Sequence, residues 1–186
     1  MATTALRLAC LFVLFGTQAF CWKCMFSYNQ QHTTNTDCIQ LLEQMGGHFP
    51  LQCLSEKMTI KFPHKVLIDK HLQTRRSIQL TLNNIFHGIN NILSKNKDKS
   101  GWDTRKSDLF KLRLELQNDI LGKCLSKHMV QKRGRVLQIK RYFKKIEDFL
   151  REKEYSLCAW ENVRAELKNL FVHVDKITAK ITKLQI

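Results

Sequence analysis

The residues with the most chemistry open to them in this chain are its seven cysteines: Cys10, Cys21, Cys24, Cys38, Cys53, Cys124 and Cys158. A thiolate can attack an electrophile, ligate a metal or pair as a disulfide, and the compartment largely decides which. The first residues speak to the compartment. Arg7 is the only early charge, an apolar run from Leu8 to Phe15 follows, and Gly16-Thr17-Gln18-Ala19 comes next. That order fits a secretory signal peptide. Residues 1–19 are expected to be removed, with 1–21 as the alternative, leaving 20–186 as one domain outside the cell. The apolar run falls short of the roughly 20 residues that span a bilayer, and no later stretch is longer, so no membrane insertion is expected. In an oxidising setting the thiols are expected to pair. The six that remain after loss of Cys10 allow about 15 connectivities, and spacing alone does not choose among them. Cys21-Trp22-Lys23-Cys24 has the spacing of redox and metal motifs, but no second CxxC accompanies it. Disulfide anchoring of the N-terminal segment is the better reading.

Catalysis finds little else to use. The sequence has no HExxH, no GxSxG and no glycine-rich phosphate loop. Its seven histidines do not fall at metal-ligand spacings, and Glu147, Asp148 and Glu152 read as the polar side of a helix. No enzyme activity, metal or cofactor is expected. Asn35-Thr36-Asp37 misses the glycosylation pattern at its third residue.

Charge is the unusual quantity. Thirty-one basic residues against 16 acidic give +15, and losing residues 1–19 removes only Arg7 from that balance. Such a field favours acidic partners, among them receptor patches, sulfated glycans, nucleic acid and anionic lipid. Arg133, Lys140, Lys144 and Arg151 recur at 7, 4 and 7, placing a basic stripe on one side of a helix that Lys132, Arg135 and Lys145 broaden. The stripe is either an ordinary solvated face or a site for heparan-sulfate-like glycans. Nucleic acid is not expected, because no aromatic stacking platform accompanies the charge.

The elements that must position these residues are helical. Pro50 and Pro63 lie in one irregular connection between Gly46 and Lys70, and no other proline interrupts the chain. Before it, Cys38, Leu41, Leu42 and Met45 share a face, with Thr36 or Asp37 as the expected N-cap and Gly46-Gly47 as the stop. Ile78, Leu82, Ile85, Phe86, Ile89, Ile92 and Leu93 trace a second helix. Asp103 caps a third, whose inward residues are expected to be Leu109, Leu112, Leu116 and Ile120. Val136, Ile139, Phe143, Ile146 and Leu150 mark a fourth, entered from the basic connector Gln131 to Arg135. Trp160, Val163, Leu167, Leu170, Val174, Ile177, Ile181 and Leu184 mark a fifth. Five amphipathic helices without strands predict an all-α bundle, and the long connection after the first suits an up-up-down-down arrangement. Intramolecular partners suffice for every stripe, so a monomer is expected. If Val163, Leu167 and Leu170 face the core, Glu161, Arg164, Ala165, Lys168 and Asn169 fall largely on the outer side.

Tyr155-Ser156-Leu157-Cys158-Ala159-Trp160-Glu161-Asn162-Val163-Arg164-Ala165-Glu166-Leu167 resembles the C-terminal helix motif of type I interferons, particularly the beta and kappa branches. Arg141 to Glu154 is similar to the preceding helix of that family. Cys53-Leu54-Ser55-Glu56-Lys57 with Phe62-Pro63 is similar to its segment after the first helix. Met25-Phe26-Ser27-Tyr28-Asn29 and Cys38-Ile39-Gln40-Leu41-Leu42 resemble the start of interferon beta, and Trp102-Asp103 falls where the third helix begins. The resemblance implies a helical cytokine that bridges the two chains of the heterodimeric type I interferon receptor. It implies disulfides Cys53–Cys158 and Cys124 with an N-terminal cysteine, most simply Cys24, and it matches Cys38 to an unpaired position. It also implies that Leu54, Lys57, Arg164, Ala165, Lys168 and Asn169 meet the high-affinity receptor chain, and that Asn91, Lys95, Lys140 and Arg141 meet the second. Lys57 stands where arginine is usual and lacks its two-pronged geometry; Lys168 and Asn169 also depart from common family residues. A secreted cationic glycan-binding or antimicrobial helical protein is the alternative that the charge alone would support.

Overall fold

The computed structural model describes residues 27–63, 65–66, 72, 74–95, 100–125 and 133–181. The expected signal peptide, Cys21, Cys24, Gln131, Lys132 and Leu184 lie outside them. Among the described residues five long α-helices form: α1 (Tyr28–Gly46), α2 (Arg75–Leu93), α3 (Thr104–Cys124), α4 (Arg133–Glu152) and α5 (Leu157–Thr178); residues 65–66 are also helical. A 3-10 turn, Leu51–Glu56, lies in the long connection between α1 and α2. No strand occurs among the described residues. The all-α helical bundle expected from the periodicity is therefore the observed class. α1 packs on α3 and α5, α2 packs on α3 and α4, and α5 also touches α2, α4 and the 3-10 turn.

The apolar stripes of α2 and α5 point where their spacing places them. Ile78, Leu82, Ile85, Phe86, Ile89, Ile92 and Leu93 are buried, as are Trp160, Val163, Leu167, Leu170, Val174, Ile177 and Ile181. Each such side chain contributes about 1.5–3 kcal/mol when fully removed from water. Phe171 ties three helices together: its ring stacks on Phe86 of α2 at 6.2 Å and meets Phe110 of α3 edge-on at 5.7 Å. On α4, Ile139, Phe143, Ile146 and Leu150 are buried and Val136 is partly so. Phe143 lies flat over Gly88 of α2, where a Cβ would sit 2.2 Å from its ring. The α2–α4 approach thus depends on the absence of a side chain at that position.

Two expectations are corrected. The first helix begins at Tyr28 with Ser27 as its N-cap, accepting from the Gln30 N–H at 3.3 Å, and not at Thr36 or Asp37. In its first half Gln31, Thr34 and Asn35 are polar yet buried, and there Gln31 donates to Asn35 at 2.9 Å and Asn35 donates to Asp175 of α5 at 3.2 Å. An apolar count misses a helix face whose contacts are amide hydrogen bonds. The third helix is turned from its expected frame. Ser107, Phe110, Leu114, Gln117 and Leu121 face inward, while Leu109, Leu112 and Leu116 are 42%, 59% and 47% exposed; Ile120 packs at the margin. Two polar residues in the inward frame hid it from the periodicity, and the large Phe110 ring decides the rotation.

Cys38 is a free thiol within this core, and burial pushes its pKa up to about 12. It takes no part in a third bridge. Cys124 is disulfide-bonded; its expected partner Cys24 lies outside the described residues.

α4 ends in a 6→1 and 5→2 pair of hydrogen bonds, Tyr155 N–H to Leu150 O at 2.8 Å and Glu154 N–H to Arg151 O at 3.1 Å. This termination normally carries glycine in the left-handed conformation, but here Glu154 and Tyr155 adopt φ of 52° and 56°. A left-handed L-residue costs about 1–2 kcal/mol, and glycine returns part of that through the entropy of the unfolded chain. Glu154→Gly is expected to stabilise the protein by up to about 1 kcal/mol, read as a higher denaturation midpoint with unchanged helical circular dichroism. A lower midpoint would show that the Glu154 side chain contributes more than its backbone costs.

Candidate functional site

Three successive turns of α5 hold the irregular connection in place. Cys158 is bonded to Cys53 of the 3-10 turn, with Cα atoms 5.0 Å apart, across 105 residues of sequence. One turn on, the Asn162 side chain accepts from the Met58 N–H at 3.0 Å and donates to its own helix at Cys158 O, 2.9 Å away. One turn further, Glu166 accepts from the Phe62 backbone and from Asn169, and from the Tyr142 hydroxyl of α4 at 2.8 Å. The Phe62 ring enters between helices, edge-on to Tyr142 at 5.2 Å and stacked on His173 at 5.8 Å. Positions 158, 162 and 166 share one edge of α5 because i and i+4 lie on one face. The pairing of Cys53 with Cys158 implied by the resemblance is thus the first rung of a three-rung ladder.

The opposite edge of α5 grips the end of α1. Arg164 makes three contacts with the Glu161 carboxylate at 2.6–3.1 Å. Its other N–H groups donate to Leu42 O at 2.8 Å and Gly47 O at 3.0 Å. A guanidinium aimed at the carbonyls ending a helix satisfies orphan acceptors and the negative end of the dipole together. Glu161 also accepts from the Trp102 indole at 2.8 Å, just before α3. Gly46 makes room for the assembly, since a Cβ there would lie 2.4 Å from Arg164 Nε. Glu161 and Arg164 are 3% and 6% exposed, so the expectation that both lie on the outer side of α5 is corrected. An ion pair at i,i+3 with two backbone acceptors and an indole donor can be buried where either charge alone could not.

Between the two edges lies the exposed strip of α5. Ala165 and Asn169 face solvent, Lys168 is half-exposed and ion-paired with Glu43, and Val172 is 42% exposed. Ala165 and Lys168 border an open groove of about 560 Å³ with Glu43, Gln44, His48 and Phe49. On the ladder side, Leu54 is 57% exposed and Lys57 is exposed. Of the six high-affinity candidates, five remain on the surface and Arg164 does not. Sequence reading missed Asn162 and Glu166, which position the loop; their spacing of four and eight from Cys158 was the available signal.

The second candidate set divides. Asn91 and Lys140 are exposed, and Lys95 joins the end of α2 to α4 through Glu147 at 3.0 Å. That hydrogen bond from Lys95 holds the Glu147 carboxyl below its usual range. Arg141 is also exposed but borders a groove against Thr59, Ile60, Lys61 and Pro63, on the flank of α4 away from α2. The expected basic stripe is partly neutralised: Lys144 pairs with Asp148 at 3.0 Å, and Arg151 pairs with Glu147 and Asp148 at 3.5 Å. Arg133 and Lys140 form no ion pair among the described residues. These contain no cluster of three metal-ligating side chains and no helix long and apolar enough to cross a membrane.

Residues 28–181 match the interferon alpha/beta domain family. The chain is 31% identical over 161 residues to interferon beta of Tachyglossus aculeatus aculeatus, covering 84% of this chain and 86% of that protein. It is 25% identical over 179 residues to human interferon epsilon, covering 93% and 86%. Among solved structures it is similar to zebrafish interferon 2, with a TM-score of 0.67 and 27% identity over 77% of this chain and 96% of that one.

Arg164→Ala leaves the Glu161 carboxylate buried without its cation, and about 3–5 kcal/mol of stability is expected to be lost. Chemical denaturation measures this directly; a variant that unfolds with wild-type midpoint would return Arg164 to the surface. Glu166 gives a pH signature. Desolvation raises its pKa despite the hydrogen bonds that lower it, so the folded protein binds a proton before the unfolded chain does. Its contribution to stability therefore increases as pH falls through the raised folded value and levels off below the ordinary carboxylate range near 4.3. Melting temperatures of wild type and Glu166→Gln, compared from pH 7 downward, are expected to shift in favour of wild type over that window. A difference independent of pH would contradict the assignment.

Proposed function

The chain belongs to the type I interferon family, and on that premise we propose that it is a secreted cytokine which bridges two class II cytokine receptor chains. The associated Janus kinases then phosphorylate one another and switch on antiviral transcription. The ligand performs no chemistry; it supplies two faces. The observation that carries this reading is the ladder at Cys158, Asn162 and Glu166, which fixes the segment bearing Leu54 and Lys57 along the helix that exposes Ala165, Lys168 and Asn169. A preformed platform avoids the ordering cost that a free loop would incur on binding.

In this reading Leu54 is the apolar anchor of the high-affinity face, Ala165 gives the receptor close approach to α5, and Lys57, Lys168 and Asn169 form a polar surround. Arg164 acts from within, holding α5 to the end of α1. The second face uses Asn91 and Lys140, with Lys95 supporting it through Glu147; Arg141 stands apart on the other flank of α4. A cationic antimicrobial protein accounts for the charge but gives no reason for a loop stitched to α5 at three levels.

The test is an interferon-responsive reporter in cells of the same species, expected to respond and to fall silent when the type I receptor is blocked. Leu54→Ala and Ala165→Arg alter exposed positions and are expected to fold normally while weakening binding to the high-affinity chain about tenfold or more each, roughly 1.4 kcal/mol. Wild-type affinity in both would remove this face from the mechanism.

A further inference from the structure

We propose that a sulfated glycosaminoglycan binds in the groove between α4 and the segment 57–63, not along the basic stripe that the sequence spacing picks out. Two adjoining grooves run along this flank of α4. The first, about 350 Å³, is bordered by Lys61, Arg141 and Lys145 with Thr59, Ile60, Pro63, Gln138 and Tyr142. The second, about 440 Å³, shares Thr59, Ile60 and Lys145 with it and continues past Lys57 and Lys153. Together they form a single channel.

Charge decides between channel and stripe. On the stripe, Lys144 and Arg151 already hold Glu147 and Asp148, which leaves only Arg133 and Lys140, about two helical turns apart, without an ion pair among the described residues. Lys61, Arg141 and Lys145 are exposed, form no ion pair among the described residues, and border a groove whose lining contains no carboxylate. Glu166 feels the charge of Lys61, but it is buried and engaged by Tyr142, Phe62 and Asn169. The second groove does carry acids, Glu56, Asp148 and Glu152, so the strongest anion site is the acid-free one.

Shape selects the kind of anion. Arg141 and Lys145 stand one helical turn apart, about 6 Å along the axis, and Lys61 faces them across the groove. Three cations on two walls of an open groove suit a linear chain carrying permanently ionised groups at intervals. Ile60 and Pro63 offer an aliphatic surface to the C–H face of a sugar ring. Tyr142 is only 3% exposed and presents no ring for a base to stack on, which disfavours single-stranded nucleic acid. The ladder that fixes Met58 and Phe62 to α5 also fixes the Lys61 wall, so the channel is formed before any ligand arrives.

Two variants with equal loss of charge test the site: Lys61→Ala/Arg141→Ala/Lys145→Ala in the groove and Arg133→Ala/Lys140→Ala/Lys144→Ala on the stripe. On immobilised heparin the groove variant is expected to elute at clearly lower salt than the stripe variant, while both shift equally on a sulfonate exchanger. Each cation meeting a linear polyanion releases about one counterion. The slope of log affinity against log salt should therefore drop by about 2–3 for the groove variant. Equal elution of the two variants from heparin, or a larger shift for the stripe variant, overturns the assignment. Competition by desulfated heparin or by an oligodeoxynucleotide as effective as that by heparin overturns the sulfated-glycan class.

Discussion

The segment from Leu51 to Pro63, regular only in its 3-10 turn, has to be held against a helix, and most of the proposed receptor surface follows from how that is done. Fixing one backbone residue costs about 1–2 kcal/mol, so the connection after α1 needs anchors at short intervals. Cys158, Asn162 and Glu166 supply them by three kinds of chemistry. A covalent bond fixes the 3-10 turn, an amide takes the Met58 N–H, and a carboxylate takes Phe62 while its ring fills the gap beside Tyr142 and His173. The rungs differ in what weakens them. Reduction acts on the first, protonation alters the third, and the second responds to neither. The segment is consequently not dependent on its disulfide alone, although closing a loop of this length contributes about 4–5 kcal/mol in the chain-entropy account.

The buried pair Glu161–Arg164 solves a different problem. Three chain segments converge near the start of α5: the end of α1, the approach to α3 and α5 itself. Apolar packing can bring them together but does not fix their relative rotation. Arg164 reads two carbonyls at the end of α1 and Glu161 reads the Trp102 indole, so the junction accepts one arrangement. Gly46 belongs to the same device, since a methyl group there would meet the guanidinium. Burying both charges costs desolvation energy that the hydrogen bonds largely offset, and a defined geometry under the exposed strip of α5 results.

How much of this was legible depends on which force decided each element. Where apolar spacing decided, as in α2 and α5, every described residue of the predicted stripe is buried; Phe171 joins the α5 core from outside that stripe, and Leu184 lies outside the described residues. Where polar groups were buried together, the same rule failed. Gln31 and Asn35 extended α1 well before its expected start, Ser107 and Gln117 concealed the inward frame of α3, and opposite charges at 161 and 164 read as a solvated face. Cys53 and Cys158 could not be matched by spacing; the family resemblance paired them, and the rungs above then fell at fixed intervals. The division of the basic residues on α4 was not legible at all, because it depends on which acids the fold brings within reach.

The rotation of α3 has a colloidal consequence. It leaves Leu109, Leu112 and Leu116 in water, an adhesive strip on a molecule whose formal charge is +15. At low ionic strength, long-range repulsion keeps copies from approaching closely enough for such strips to meet. The screening length contracts from about 10 Å at 0.1 M salt to about 3 Å at 1 M, removing that barrier while leaving the leucines as apolar as before. Charge acting at a distance thus opposes contact between such strips, and rising salt weakens that opposition.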